Sequence, residues 1–184
     1  MKIFVDATTL IALDEVGELD LLTSFDGELR IPEAVVDEVT TEPAEENLQR
    51  FVNRNQILTP ELPDPLSRGL REAKEKAERI LDEDEINGDV VILMAVLGHE
   101  EGGNDVALVS DDRRLRTVAE GLGTRVTGTI GVVVRAVADG ELAEQEAKDL
   151  VRCLDSRGLH MTGELREKAD ELIEDAAREN EDGG

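Results

Sequence analysis

Five carboxylates stand where short apolar strands end or helices begin: Asp6, Glu38, Asp89, Asp111 and Asp112. Residues 1–6 form a short apolar run that closes on Asp6. Residues 105–112 form a second, closing on Asp111 and Asp112. In an open parallel α/β sheet, ligands bind outside the carboxyl ends of the strands. Acids gathered there repel one another and lose hydration. Hard divalent cations such as Mg²⁺ and Mn²⁺ take oxygen ligands and relieve both costs. The chemistry this implies is metal-dependent attack on a phosphate ester.

The elements that must position these acids follow from the apolar pattern. Residues 2–6 read as a buried strand, followed by a helix over Thr8–Glu15 with Thr8 as its cap and a second short helix over 17–25. Glu28–Ile31 reads as a strand closed by Pro32, which suits the first turn of the next helix, through about Val39. Residues 42–53 are amphipathic, with Leu48, Phe51 and Val52 inward, and Gln56–Thr59 reads as a strand. After a proline-rich connection at 60–65, the spacing of Leu66, Leu70, Ala73, Ala77, Ile80 and Leu81 predicts a helix over 66–81. The run Asp82–Glu85 reads as a solvated helix end. Asn87-Gly88 marks a turn, and Asp89 opens, and also suits as a cap, an apolar helix over 90–97. A polar loop at 98–104 leads to the strand 105–110, a helix over Arg113–Gly121, a strand over Thr124–Thr127 and an apolar helix over Ile130–Val137. Helices over 143–154 and 163–178 close the pattern. Strands alternate with helices, so the fold class is α/β with a mainly parallel sheet. The domain reading is one unit over 1–142, a helical extension of it over 143–178, and a disordered tail over 179–184.

Composition restricts the setting. A chain of 184 residues is large enough for one domain with a real core. It carries 44 acids against 20 Lys and Arg, a net charge of −24, spread along its whole length. Such an acid-coated surface is like that of proteins from salt-loaded, halophilic cytoplasm, where ions screen the self-repulsion. At low salt the same charge repels nucleic acid. Cys153 is alone, which excludes an internal disulfide. His99 and His160 share no metal-ligand spacing. No signal pattern or membrane-length apolar run is present, so a cytoplasmic protein without membrane association is expected.

Four motifs occur in order: Asp6-Ala7-Thr8; Pro32 followed by Glu38; Gly88-Asp89 opening an apolar helix; and Ser110-Asp111-Asp112. In this order they resemble the motifs of the PIN-domain nucleases. Residues 126–136, with Gly128-Thr129-Ile130-Gly131, and then Gly140-Glu141-Leu142, extend the resemblance, which covers about residues 2 to 142. It departs from the family pattern at Ser110, where Thr is more common, and in a longer 66–81 helix and 98–104 loop. The resemblance implies a three-layer α/β/α PIN-like fold and a Mg²⁺- or Mn²⁺-dependent endoribonuclease of the toxin type. RNA is then the substrate, an antitoxin protein a partner, and a homodimer the expected assembly. It casts Asp6, Asp89 and Asp112 as metal ligands, with Asp111 beside them. Glu38 is a ligand through water or orients the attacking water, and Thr8 and Ser110 hold the carboxylates as hydrogen-bond donors.

Plainer roles stand beside these. Glu38 also suits the surface, and Asp89, Asp111 and Asp112 also suit helix caps. Arg113, Arg114 and Arg116 fit RNA phosphates and surface ion pairs equally well. The 128–131 segment is a turn and cap more readily than a phosphate cradle. Two rival functions remain open. A Mg²⁺-dependent phosphatase shares strand-end acids, but Asp6-Ala7-Thr8 lacks the second acid of a phosphatase nucleophile motif. A non-catalytic PIN-like scaffold that binds RNA or protein needs no intact acid set. The apolar helices 90–97 and 130–137 carry more apolar surface than one sheet readily covers, the reason from the residues themselves for expecting a dimer.

Overall fold

The computed structural model describes residues 1–60, 68–100 and 105–183. Four parallel strands form the sheet: β1 (Lys2–Val5), β2 (Glu28–Arg30), β3 (Val106–Val109) and β4 (Arg125–Thr127), in the order β2-β1-β3-β4. Ile3 pairs with Leu29 on one side and Ala107 on the other, so β1 is central. The chain leaves β1 towards one edge and β3 towards the other. The strand order therefore reverses between β1 and β3, the switch point where open α/β sheets bind ligands. Asp6 ends β1 and Ser110–Asp112 end β3 at that point.

Nine helices surround the sheet among the described residues: α1 (Ala7–Val16), α2 (Glu33–Val36), α3 (Ala44–Asn55), α4 (Arg68–Leu81), α5 (Gly88–Glu100), α6 (Arg113–Gly121), α7 (Thr129–Ala138), α8 (Glu144–Leu154) and α9 (Gly163–Gly183). The result is the three-layer α/β/α arrangement. The central strands β1 and β3 are short, apolar and almost wholly buried, as a sheet covered by helices on each side requires, while the edge strands β2 and β4 are partly exposed. Helix α5 is apolar all round: Val90, Ile92, Leu93, Val96 and Leu97 lie in the main core. Helix α7 joins the sheet to the C-terminal helices. Its Val133 and Val137 pack with Val151, Leu154 and Ile173 in a second cluster. The two apolar helices are thus largely covered within one chain, with Ile130 and Val134 of α7 partly exposed.

Several boundaries differ from the sequence expectation. Asp6, not Thr8, caps α1, because its carboxylate reaches the Thr9 N–H at 2.9 Å. Residues 19–24 form a 3₁₀ turn. Helix α2 ends at Val36, so Glu38 lies in the turn beyond it. Gln56–Thr59 is not a strand. Gln56 takes a left-handed conformation and Pro60 follows, leaving one bridge, between Leu58 and Arg30. Helix α5 runs on to Glu100, into the expected 98–104 loop, whose residues 101–104 lie outside the described residues, as do 61–67. Helix α9 continues to Gly183, beyond Arg178 and through most of the expected tail. Among the described residues no helix is long and apolar enough to cross a membrane.

Candidate active site

Asp6 is the deepest of the acids, only 2 % exposed. Its position follows from β1, which carries it into the core at the point where α1 must start. One carboxylate oxygen, Oδ1, accepts from the Thr8 hydroxyl at 2.8 Å and the Thr9 N–H at 2.9 Å. The other, Oδ2, accepts a short hydrogen bond from the Ser110 hydroxyl. Burial raises the Asp6 pKa, with a small contribution from the Asp111 charge. The Ser110, Thr9 and Thr8 hydrogen bonds oppose that rise. Thr8 and Ser110 therefore both donate to Asp6.

Ser110 is itself fully buried and serves two acids. Its oxygen also accepts from the Asp112 N–H at 3.0 Å. Asp112 caps α6, with Oδ1 accepting from the Leu115 N–H at 2.7 Å. Among the described residues its second oxygen takes no hydrogen bond.

Asp89 lies in the first turn of α5 but does not cap it. Asn87 does, through Oδ1 and the Val90 N–H at 2.9 Å. That leaves the Asp89 carboxylate uncommitted. Burial, followed by the charges of Asp6, Asp112, Glu38 and Glu83, lifts its pKa from 3.8 to about 6. Every charged group that shifts it is an acid. Glu38 reaches this place from the turn after α2, where Oε1 accepts from the Gly88 N–H at 2.6 Å. Gly88 admits it closely: a Cβ there would lie 2.8 Å from Val35 Cγ2 and 3.0 Å from Glu38 Oε1.

Asp111 has a different task. Both of its oxygens accept from Thr129, through the backbone N–H at 3.0 and 3.3 Å and through the hydroxyl. The N-terminus of α7 begins at Gly128, which has no side chain to cap with, and Asp111 supplies the anion from the neighbouring strand end. Asp111 therefore spends part of its accepting capacity on Thr129. The same contact fills the place a phosphate would take at residues 128–131, so that segment is a turn and cap. A side chain at Gly128 would collide with Asp111 and Arg116.

The three arginines divide. Arg114 pairs with Glu83 at 3.4 Å. Arg116 donates to the Ser110 carbonyl at 3.1 Å, bracing the end of β3. Arg113 is exposed. Glu83 is the acid that sequence reasoning missed. Inside the run 82–85 it has no feature to separate it from its neighbours; it lies in the connection between α4 and α5, and its charge acts on Asp89.

A hard divalent cation fits the chemistry of this donor set, which is all carboxylate oxygen around one acid that resists ionising. Among the described residues, however, no three of these groups already stand in a cation-holding arrangement. Their oxygens are partly engaged as caps and in the Ser110 and Gly88 hydrogen bonds.

A family model described as a PIN domain matches residues 2–175. The match takes in the helices beyond residue 142, where the motif resemblance weakens. No curated protein and no solved structure matches the chain.

Proposed function

Because this chain belongs to the PIN-domain family, a fold of nuclease type, we propose that it is a Mg²⁺- or Mn²⁺-dependent ribonuclease that hydrolyses RNA phosphodiesters. One observation carries the reading: Asp89 is held near a pKa of about 6 by burial and by four other acids, with no basic group among the causes. A bound cation would relieve that repulsion, and strongly perturbed carboxylates in a cleft are candidates for a functional site. Asp6, Asp89 and Asp112 would hold it, and Glu38 would orient water beside it. When bound, the cation supplies Lewis acidity towards a phosphate oxygen and lowers the pKa of a bound water. Ser110 and Thr8 keep Asp6 in one rotamer, and the Gly88 N–H holds the carboxylate of the exposed Glu38 at the start of α5. A toxin role with an antitoxin partner rests on the family resemblance alone.

The rival reading is a non-catalytic RNA-binding scaffold. It draws on the caps that already engage Asp6 and Asp112. The deciding experiment is a cleavage time course on a mixed RNA panel with Mn²⁺, run from 0.1 M to molar KCl beside circular dichroism. The Debye length falls from about 10 Å to about 3 Å over that range. Long-range repulsion between RNA and a chain of charge −24 then fades, while contact at the acids persists. Cleavage is expected to rise with salt in the wild type and to be absent in Asp6→Asn. Folded wild type that leaves the panel uncut with Mn²⁺ at every salt favours the scaffold.

A further inference from the structure

A cavity of about 440 Å³ opens beside the catalytic acids, between α1 and the turn that joins α8 to α9. Its mouth is formed by Thr8, Asp111 and Asp112, so it is continuous with the candidate active site. Ile11 and Ala12 from α1, Leu154 from the end of α8, and Leu159 supply its apolar lining, and Glu15 lines it as well. Arg157 stands at the rim. The turn that carries it is irregular, with Gly158 at a φ of 130° and His160 at 33°, and this sends Arg157 back across α1. One guanidinium nitrogen donates to the Glu15 carbonyl at 2.5 Å. That bond anchors the side chain and leaves further N–H groups of its five for a ligand. Among the described residues no carboxylate pairs with it, although most arginines whose contacts are known here are matched to an acid.

We propose that this cavity is a subsite for one nucleotide of a single-stranded RNA, with its base against the apolar lining and its phosphate on Arg157. The proposal rests on the ribonuclease reading for the identity of the strand. Three observations favour RNA as the occupant. The cavity opens directly onto the acids, so a strand reaching them passes its mouth. It is of a size that takes a small organic group. Its cation has no carboxylate partner among the described residues, and a guanidinium both pairs with phosphate and stacks on a base. The lining mixes this apolar contact with Thr8, Glu15, Asp111 and Asp112, and contact through its apolar part should discriminate weakly between bases. The acidic mouth places the phosphate at the Arg157 end.

The test uses single-stranded RNA oligomers carrying 4-thiouridine, in molar KCl, read by photo-crosslinking with peptide mapping and by fluorescence anisotropy. Crosslinks in residues 8–15 and 150–160 are expected. Arg157→Gln should weaken binding about tenfold, the usual scale of a lost charge-assisted hydrogen bond, and should raise KM with kcat little changed. Arg157→Lys should recover part of the loss. Arg125→Gln removes the same charge at the opposite edge of the sheet and should leave binding within about twofold, the scale of an exposed charge. Crosslinks confined to other elements, equal losses in Arg125→Gln and Arg157→Gln, or no RNA binding at all would overturn the subsite. If Arg157→Gln melts early because the Glu15 contact is lost, the wild-type crosslink map alone decides. RNA that crosslinks here but is never cut overturns the ribonuclease reading and leaves the subsite standing. Cutting without these crosslinks does the reverse.

Discussion

The two ends of the one sheet treat charge in opposite ways. At the amino ends of the strands, Asp105 is paired with Arg125 and Glu28 with Arg30, each on the surface and each matched within a few residues or one strand. At the carboxyl ends, Asp6, Asp112 and Glu38 act on Asp89 by charge, no base pairs with any of these four among the described residues, and Asp89 is forced towards neutrality. Both ends are built by the same four strands, so the fold does not dictate the difference. Charge that is resolved by pairing serves solubility and contributes little to stability. Charge left unresolved under partial burial costs the fold, and such a cost points to a ligand that relieves it.

The comparison breaks most decisively at Asp6. Asp6→Asn keeps the shape and most of the cap while removing the charge. RNA cleavage with Mn²⁺ is expected to fall at least about a hundredfold, the upper range for groups that merely orient metal ligands. The Mn²⁺-induced rise in Tm should shrink with it. Equal Mn²⁺ responses in Asp6→Asn and wild type would mean that the cation binds elsewhere.

Ser110→Ala tests the support beneath that acid. Asp6 and the Asp112 N–H both lose a partner in a fully buried place. Cleavage should drop about 10- to 100-fold. The Asp6 pKa should climb further, because the lost hydrogen bond opposes the rise. Carbon-detected NMR titration of the Asp6 carboxyl measures this directly, and an unchanged titration would show that Ser110 does not hold it.

Gly88→Ala sharpens the comparison by moving one acid. The new methyl group meets the buried Val35 and pushes on Glu38. Crowding of this kind costs about 1–3 kcal/mol, more than alanine regains as a better helix former in a first turn. Urea denaturation should show the loss, and cleavage should weaken as Glu38 swings outward. A variant as stable as wild type would show that this corner is loosely packed.

Asp89→Asn reverses the usual sign and should stabilise the metal-free protein. The folded pKa, about 6, lies above the unfolded value near 3.8. The proton is therefore bound more tightly in the fold. The associated stability is present in full below about pH 3.8 and is lost as pH rises through about 6. At about 1.4 kcal/mol per pH unit this approaches 3 kcal/mol before screening, and partial exposure of the group reduces it to about 1–2 kcal/mol. Asn escapes that loss. Its Tm should exceed wild type by a few degrees at pH 7.5, and the gap should close near pH 4. A gap that is the same at both pH values would remove the electrostatic explanation. Cleavage should nevertheless be lost, so the variant is more stable and inactive.

The smallest effect belongs to the other end of the sheet. Asp105→Asn breaks an exposed pair with Arg125 and should change stability by no more than about 0.5 kcal/mol, with cleavage unaltered. A large loss of activity would mean that the amino end of the sheet also meets substrate.

Much of this molecule was determined by the sequence alone. Short apolar runs between amphipathic stretches can only be strands buried between helices, and that pattern places Asp6 and Ser110–Asp112 at the same end of one sheet. The spacing of Val90, Leu93 and Leu97 requires a buried helix, and Asp89 at its start must then face the sheet's rim. What each carboxylate does there was decided by tertiary structure. Asp111 and Asp112 are adjacent and chemically identical, yet one caps α7 and the other α6, because the N–H groups they reach differ by a strand and a turn. Glu38 is held by Gly88, 50 positions later in the chain, and Ser110 is held against Asp6, 104 positions earlier. A carboxylate accepts from whatever donors stand within 3 Å. Local sequence names the donors a few residues away, but the distant ones come within reach only when the chain has folded.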